Sequence, residues 1–550
     1  MSGTPQVDPP KPPAPAPGGG LTRRALLVGV GAAGGAGAMF AAMGALGLAP
    51  QERREDYTPP RVSDFHLTGR VAADVVVLGA GVAGLTAAYE LGKAGYRCTV
   101  LEARERTGGR SLTLRGGDRV SELSGETQTA RFGEGVYFNA GPGRIAQWMV
   151  TLDYCRELGV PIETFVNNNA SAYVYNHGMA APVRARTARA DVYGYVAELL
   201  AKATHAGALN RRLTADDRER LIDFLRRFGD IGPELTYEGS DRRGFQTYPA
   251  VAAGVPLQGP EPLAEVLAAG IGRAVTADFG FEQAMPMFQP VGGMDAIARA
   301  LAARVGEDRI RTGVRVTRIT GLPDGVEIAY QGPDGPGTLR ADYCVAALPP
   351  HILAKIPGNL GPEITAALAT PTPVAAGKIG LEYGRRWWEL EDRVYGGITE
   401  TDLDITHIWY PSYGYHAPRG LLVGYYNTEE NAELYGALSH RDRLSRALTQ
   451  GKKIHGEKYR SEVVSGVSVH WERQPHIQGG WVRWPSYTGA FELLQRPAGR
   501  VHFAGDWLTH LIAWQAGAME SARRAVTAVH RDALSRTPPA RSDASQGKGT

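Results

Sequence analysis

Three glycines and one acid give this chain its first chemical signature. Gly79, Gly81 and Gly84 stand at G-x-G-x-x-G spacing around Ala80, Val82 and Ala83, and Glu102 follows the first glycine by 23 residues. That pattern suits a dinucleotide. Gly79 permits a tight turn, Gly81 lets a pyrophosphate approach the backbone, and Gly84 lets a helix pack closely on a strand. The pyrophosphate then rests on a helix N-terminus, and Glu102 lies where a ribose-binding acid is expected.

The flanking residues predict the elements that must hold this turn. Asp74-Val75-Val76-Val77-Leu78 is a short apolar run rich in β-branched residues, as in a strand buried on both faces. A helical pattern runs from Val82 to about Ala94, with Leu85, Ala88, Tyr89 and Leu91 on one side. Gly95 stands where a helix stops, and Cys98-Thr99-Val100-Leu101 reads as a second strand that ends on Glu102. Strand, glycines, helix, strand and acid in this order are far more specific than the glycines alone.

The bulk of the chain narrows the alternatives. At 550 residues it is long enough for two to four domains of ~150 residues each. Lysine plus arginine number 60 against 57 acids, a net charge of +3, and no basic run suggests a nucleic-acid partner. Cys98, Cys155 and Cys344 lack CxxC spacing and do not form a disulfide framework. The 13 histidines are dispersed without HExxH spacing, so no metal site is expected.

Glu102-Ala103-Arg104-Glu105-Arg106-Thr107-Gly108-Gly109-Arg110 resembles the EAxxRxGGR signature of the flavin amine oxidases. The resemblance covers roughly residues 70–530 and favours FAD over NAD. Within the superfamily the chain is most similar to bacterial FAD-dependent L-amino-acid oxidases. Gly109 and Arg110 are then expected at the cofactor, with Arg110 offering a bidentate charge to the diphosphate. Pro290-Val291-Gly292-Gly293-Met294-Asp295 looks like the family's PxGGMD turn. Val316, in an alternating strand from Val314 to Ile319, corresponds to a residue whose backbone holds the adenine. Phe503-Ala504-Gly505-Asp506-Trp507 is similar to the family's FAGE segment, with Asp506 in place of the commoner glutamate. Trp514, Gln515 and Ala516 follow at the start of the helix behind it. Such a helix, aimed at the flavin O2 edge, stabilises the reduced ring. The family's monoamine-oxidase branch often carries a flavin-linked cysteine in a GGC segment. Gly479-Gly480-Trp481 has none, so FAD is expected to be noncovalent.

The resemblance also assigns the chemistry. Gly141-Pro142-Gly143-Arg144 resembles the GPMR segment of L-amino-acid oxidases, in which the arginine forks onto the substrate carboxylate; the resemblance also implies these four residues, with Ala103 and Arg104, at the cofactor. Trp409-Tyr410-Pro411 resembles their YYP segment and implies Tyr410 as a second carboxylate donor. Trp514 matches an aromatic beside the flavin that, with Tyr410, forms a cage around the amine. Ala513 stands where the family commonly has a glycine whose carbonyl accepts from the amine. Lys378, in Gly377-Lys378-Ile379-Gly380-Leu381-Glu382-Tyr383, matches a lysine that holds a water against flavin N5. The implied reaction converts an L-amino acid, O2 and water to a 2-oxo acid, ammonia and H2O2. The aromatic residues around 407–415 and 481–487 tilt the expectation toward aromatic or large apolar substrates. A monoamine or polyamine oxidase, an amino-acid 2-monooxygenase and a non-catalytic flavin-binding scaffold are the competing readings.

The expected fold is α/β. A discontinuous Rossmann-like FAD-binding domain takes 72–112, 288–372 and 498–535. A mixed-sheet substrate domain takes 113–180 and 373–497, and a helical insert fills 181–287. Residues 1–49 combine a Pro/Gly/Ala-rich start with Thr22-Arg23-Arg24 and an apolar run. This is twin-arginine signal architecture, with the twin-arginine translocase as export partner. It implies a secreted or cell-envelope protein; a run of ~20 apolar residues also suffices for a retained membrane anchor. The resemblance points to a homodimer. The polar tail 537–550 is expected to be disordered.

Overall fold

A computed structural model of the chain describes residues 65–276, 279–284 and 286–536. The expected export segment 1–49 and the tail 537–550 lie outside the described residues. Asp74–Leu78 is a strand, and it forms the centre of a five-stranded parallel sheet. The spatial order is Ile310–Arg311, Arg97–Leu101, Asp74–Leu78, Tyr343–Ala346, Val501–Phe503. Its period of two divides the apolar residues between two cores. Val75 and Val77 enter one with the helices Val82–Lys93, Ala296–Val305 and Gln515–Arg536. Val76 and Leu78 enter the other with Ile364, Leu368, Phe491 and Leu494. A parallel sheet covered on both faces explains why the strand reads as an unbroken apolar run. The chain visits this sheet three times, so the dinucleotide fold is discontinuous. Gly95, with φ +97, follows the C-cap Ala94.

The second sheet has seven strands and is mixed. Val463–His470, Ala376–Tyr383, Gly420–Thr428, His407–Trp409 and Ile398–Thr401 run antiparallel in that order. Tyr173–Tyr175 then joins parallel to Ile398–Thr401. All eight residues of Ala376–Tyr383 are buried, which fixes Lys378 inside the protein. One face of this sheet carries an aromatic core that includes Trp387, Trp388, Tyr410, Tyr425 and Tyr459.

The insert 181–287 is not helical throughout. Residues 193–238 form a compact unit that contains most of Ala185–His205 and all of Ala215–Gly229. Ala197, Ala201, Leu225 and Tyr237 are its core. Thr214 caps the second helix by accepting the Asp217 N–H at 3.1 Å. The rest of the insert contains two short helices and a hairpin, Phe245–Thr247 with Val255–Pro256. Pro and Gly punctuate that stretch and break the helical period. Among the described residues, no helix is long and apolar enough to cross a membrane.

Candidate functional site

The turn after Asp74–Leu78 is built as its glycines require. Gly79 has φ +95, and an added Cβ would lie 3.0 Å from the Ala347 carbonyl oxygen. A Cβ on Gly84 would lie 1.9 Å from the Gly79 oxygen, so helix and strand touch there. A Cβ on Gly81 would meet nothing within 4 Å, because Gly81 faces a cavity. Glu102 is buried at the end of its strand. It accepts the Ala80 N–H at 2.7 Å and the Arg104 N–H at 2.9 Å. The Gly108 N–H donates to the Ala80 oxygen at 2.7 Å and brings the GGR loop onto this turn.

The cavity is about 560 Å³. Of the residues expected at the cofactor, Gly79, Gly81, Ala83, Glu102, Ala103, Gly109, Arg110, Gly141, Pro142, Val316, Gly505, Asp506, Trp514 and Gln515 line it. Ala80, Gly84, Arg104 and Ala516 do not. Ala80 and Gly84 stand behind the turn, and Ala516 is buried in the helix core. Gly143 and Arg144 line an adjoining cavity instead. Arg110 lines the chamber while its Nη1 donates to the Gly480 oxygen at 2.7 Å and its Nη2 pairs with Asp506, which braces the guanidinium on the wall with N–H groups to spare. The chamber fits a flavin dinucleotide. Gln515 Oε1 and Trp507 Nε1 are buried at its wall without a partner. The N-terminus of the 22-residue helix Gln515–Arg536 opens onto it, a partial positive charge for phosphate or a ring carbonyl.

The adjoining cavity is about 440 Å³ and shares Gly141, Pro142, Lys378, Tyr426, Trp481, Ala513 and Trp514 with the first. Arg144 stands on its wall, with its guanidinium 4.8 Å from the centre of the Trp409 ring. A Cβ on Gly143 would lie 2.5 Å from that same ring, so the approach requires glycine. Arg144 Nη2 donates to Gln283 Oε1 at 3.1 Å, but Nε and Nη1 are buried without a partner. Burial lowers its pKa, opposed by Tyr426, Glu400 and Glu282. A buried, half-satisfied guanidinium is costly unless an anion completes it.

Lys378 Nζ donates to the Gly141 oxygen at 2.5 Å and lies 4.7 Å from the ring centres of both Trp409 and Tyr426. Burial, and then the charge of Arg144, pull its pKa down to about 7.

The expected role of Tyr410 needs correction. Trp409 ends its strand facing the cavity, and the next side chain points to the opposite side. The Tyr410 hydroxyl bonds Thr399 Oγ1 at 2.7 Å and His455 Nε2 at 2.8 Å within the aromatic core, and lines neither cavity. The tyrosine that lines both is Tyr426. Its signal was strand alternation: in Gly420–Thr428, Tyr425 turns into the core and Tyr426 away from it. Ala513 lines both cavities with φ +69. For an alanine that conformation costs ~1–2 kcal/mol.

Comparison with known proteins agrees with this architecture. The model of a family described as flavin containing amine oxidoreductase matches residues 82–530. The chain is 28% identical over 492 residues to a flavin-dependent L-tryptophan oxidase of Lentzea aerocolonigenes, covering 83% of this chain and 97% of that protein. It is 27% identical over 476 residues to an L-amino-acid oxidase of Siganus canaliculatus, covering 84% and 86%. Among solved structures, a cyclohexylamine oxidase from Brevibacterium oxydans shares the fold, with a TM-score of 0.57 at 18% identity over 85% of this chain and 100% of that one. A putrescine oxidase bound to putrescine gives 0.53 at 18%, with the same coverage.

Proposed function

The chain belongs to the flavin-containing amine oxidoreductases, and from that premise we propose that it oxidatively deaminates L-amino acids with aromatic or large apolar side chains. The cofactor is FAD, bound without a covalent link; none of the three cysteines lines either cavity. The observation that carries the substrate reading is Arg144. Arg144 lines the cavity that shares a wall with the cofactor chamber, and two of its nitrogens are buried without a partner. A planar carboxylate completes that fork, whereas a simple amine does not.

The remaining residues follow from this anchor. The Tyr426 hydroxyl stays protonated because burial raises its pKa, and it offers the carboxylate a second donor. Trp409, Trp481, Trp484, Tyr487, Trp514 and Ile512 supply apolar walls for the side chain. The ionisable side chains that line this cavity include Arg144, Lys378 and Arg483 but no carboxylate, so a lysine or arginine side chain finds no counter-charge there. Lys378, neutral above about pH 7, accepts a proton directly or through a water. FAD, when bound, would supply the two-electron acceptor for the substrate Cα–H, held by the walls of the chamber. Overall, the amino acid, O2 and water give the 2-oxo acid, ammonia and H2O2.

Export by the twin-arginine route and a homodimer belong to the same reading. The first is supported by Thr22-Arg23-Arg24 and the apolar run after it, the second by the family resemblance.

Anaerobic mixing of the purified holoprotein with L-phenylalanine, D-phenylalanine and phenethylamine tests the assignment. Bleaching of the flavin spectrum by the L-amino acid alone is expected, with the 2-oxo acid as product in air. Equal bleaching by phenethylamine would make the protein an amine oxidase. An amide product would make it a monooxygenase, and no reduction by any of the three would leave only a flavin-binding scaffold.

Two tyrosine variants separate site from core. Tyr426→Phe should raise KM for L-phenylalanine roughly three- to tenfold, the worth of one hydrogen bond. Tyr410→Phe should leave KM unchanged and lower Tm, because it strips a partner from Thr399 and His455. Steady-state kinetics and thermal melts check both.

A further inference from the structure

Among the non-glycine residues that line both cavities, Ala513 is the only one with positive φ. L-residues with a Cβ leave that region unless something holds them. The restraint here is Asp506. Its Oδ2 accepts the Ala513 N–H at 2.9 Å, while its Oδ1 pairs with Arg110. Arg110 is itself fixed on the Gly480 oxygen at 2.7 Å. Asp506 is only 3% exposed, and the preceding Gly505 N–H is held by Ser521 Oγ at 3.0 Å. Thr509 closes the same loop, donating to the Asp506 backbone oxygen at 2.8 Å and accepting the Leu511 N–H at 3.1 Å. One buried carboxylate therefore ties an arginine of the cofactor wall to a backbone N–H of the substrate wall.

We propose that Asp506 is a positioning residue whose carboxylate holds Ala513 in the left-handed conformation and thereby fixes the Ala513 carbonyl at the junction of the two cavities. Glycine adopts this φ without help. The need for the clamp is thus a consequence of alanine at this position. Resting on the amino-acid oxidase reading, the carbonyl so fixed receives the substrate amine. Arg144 and Tyr426 hold the carboxylate independently of it. Losing the clamp should then misplace the amine without loosening the carboxylate.

The test is a double-mutant cycle on the flavin-loaded full chain: wild type, Asp506→Ala, Ala513→Gly and the double variant. Ala513→Gly should melt at or above the wild-type Tm. Asp506→Ala should lower Tm, and by less in the Ala513→Gly background. KM for L-phenylalanine should rise about tenfold in Asp506→Ala and return toward wild type in the double variant. The Kd of benzoate, which has a carboxylate but no amine, should stay unchanged throughout. Flavin content read from the visible spectrum separates cofactor loss from misplacement. If Asp506→Ala does not fold, Asp506→Leu, which keeps the volume and offers no acceptor, replaces it, with the same smaller Tm loss expected in the glycine background. Additive Tm losses, or a KM defect that glycine does not rescue at full flavin occupancy, would overturn the proposal. A wild type that never oxidises L-phenylalanine would sink the oxidase reading instead, leaving the thermal cycle to decide the clamp.

Discussion

Arg144→Ala is expected to lower kcat/KM for L-phenylalanine by roughly two to three orders of magnitude, the worth of a buried charge-assisted fork on a carboxylate. Above the acid limb, where Lys378 is neutral in both proteins, turnover of phenethylamine, however slow, should not fall, because it has no carboxylate to lose. The asymmetry is what identifies the role: a residue that merely props up the wall would depress both substrates. Arg144→Lys should recover only part of the loss. An ammonium is a point donor and cannot present two parallel N–H groups. It would also sit at a different height over Trp409, whose ring now packs against the guanidinium. A second consequence follows from electrostatics. Arg144 is one of the two causes that hold the Lys378 pKa low, so its removal should raise that pKa. The acid limb of the pH–rate profile should move upward in Arg144→Ala. Kinetics with both substrates across pH check the two effects together. An equal loss on phenethylamine would remove Arg144 from the carboxylate.

What was legible in the sequence was whatever physics is local. The turn at Gly79, Gly81 and Gly84 is dictated by steric limits within six residues, and its flanking strand and helix announce themselves by period. Arg144 was legible as a residue type in a segment. Its partner Gln283 was not, because it lies 139 residues away in the insert. The pairing of Arg110 with Asp506 spans 396 residues and turns two separately assigned cofactor ligands into one ion pair. The choice of Tyr410 failed on phase. In a strand the side chain alternates, so reading one residue along exchanges a cavity wall for a core. Trp409 and Tyr410 are on opposite sides of that choice, and the same alternation one strand away brings Tyr426 to the site. The strand expected at Val314–Ile319 is Arg315–Gly321, with a register shift between Val316 and Arg318 against its partner strand. Even the left-handed backbone at Ala513 was hidden, since alanine gives no sign of it; the family's glycine at that position was the only hint.

Lys378→Met should lower kcat/KM by about 10²–10⁴, the usual contribution of a positioned proton acceptor. The wild type should show an acid limb near pH 7 that the variant lacks, because activity needs the neutral amine and the amine is protonated below that pH. Methionine keeps the apolar stem between Trp409 and Tyr426 and removes only the charge and its donors. Stability supplies an independent readout whose sign is fixed by linkage. The Lys378 pKa is depressed in the folded chain from 10.5 to about 7. Between those values the unfolded chain binds the proton and the folded chain does not, so stability rises with pH across this window. Below about pH 7 both states are protonated, and the folded protein bears the full penalty of a buried ammonium beside Arg144. Lys378→Met removes that penalty and also the bond to the Gly141 oxygen, which sets a constant offset. The Tm of the variant relative to wild type should therefore be highest near pH 6 and fall steadily from pH 7 to 10. A flat difference across that range would mean that the lysine does not change protonation on folding. The acid limb would then have to belong to another group.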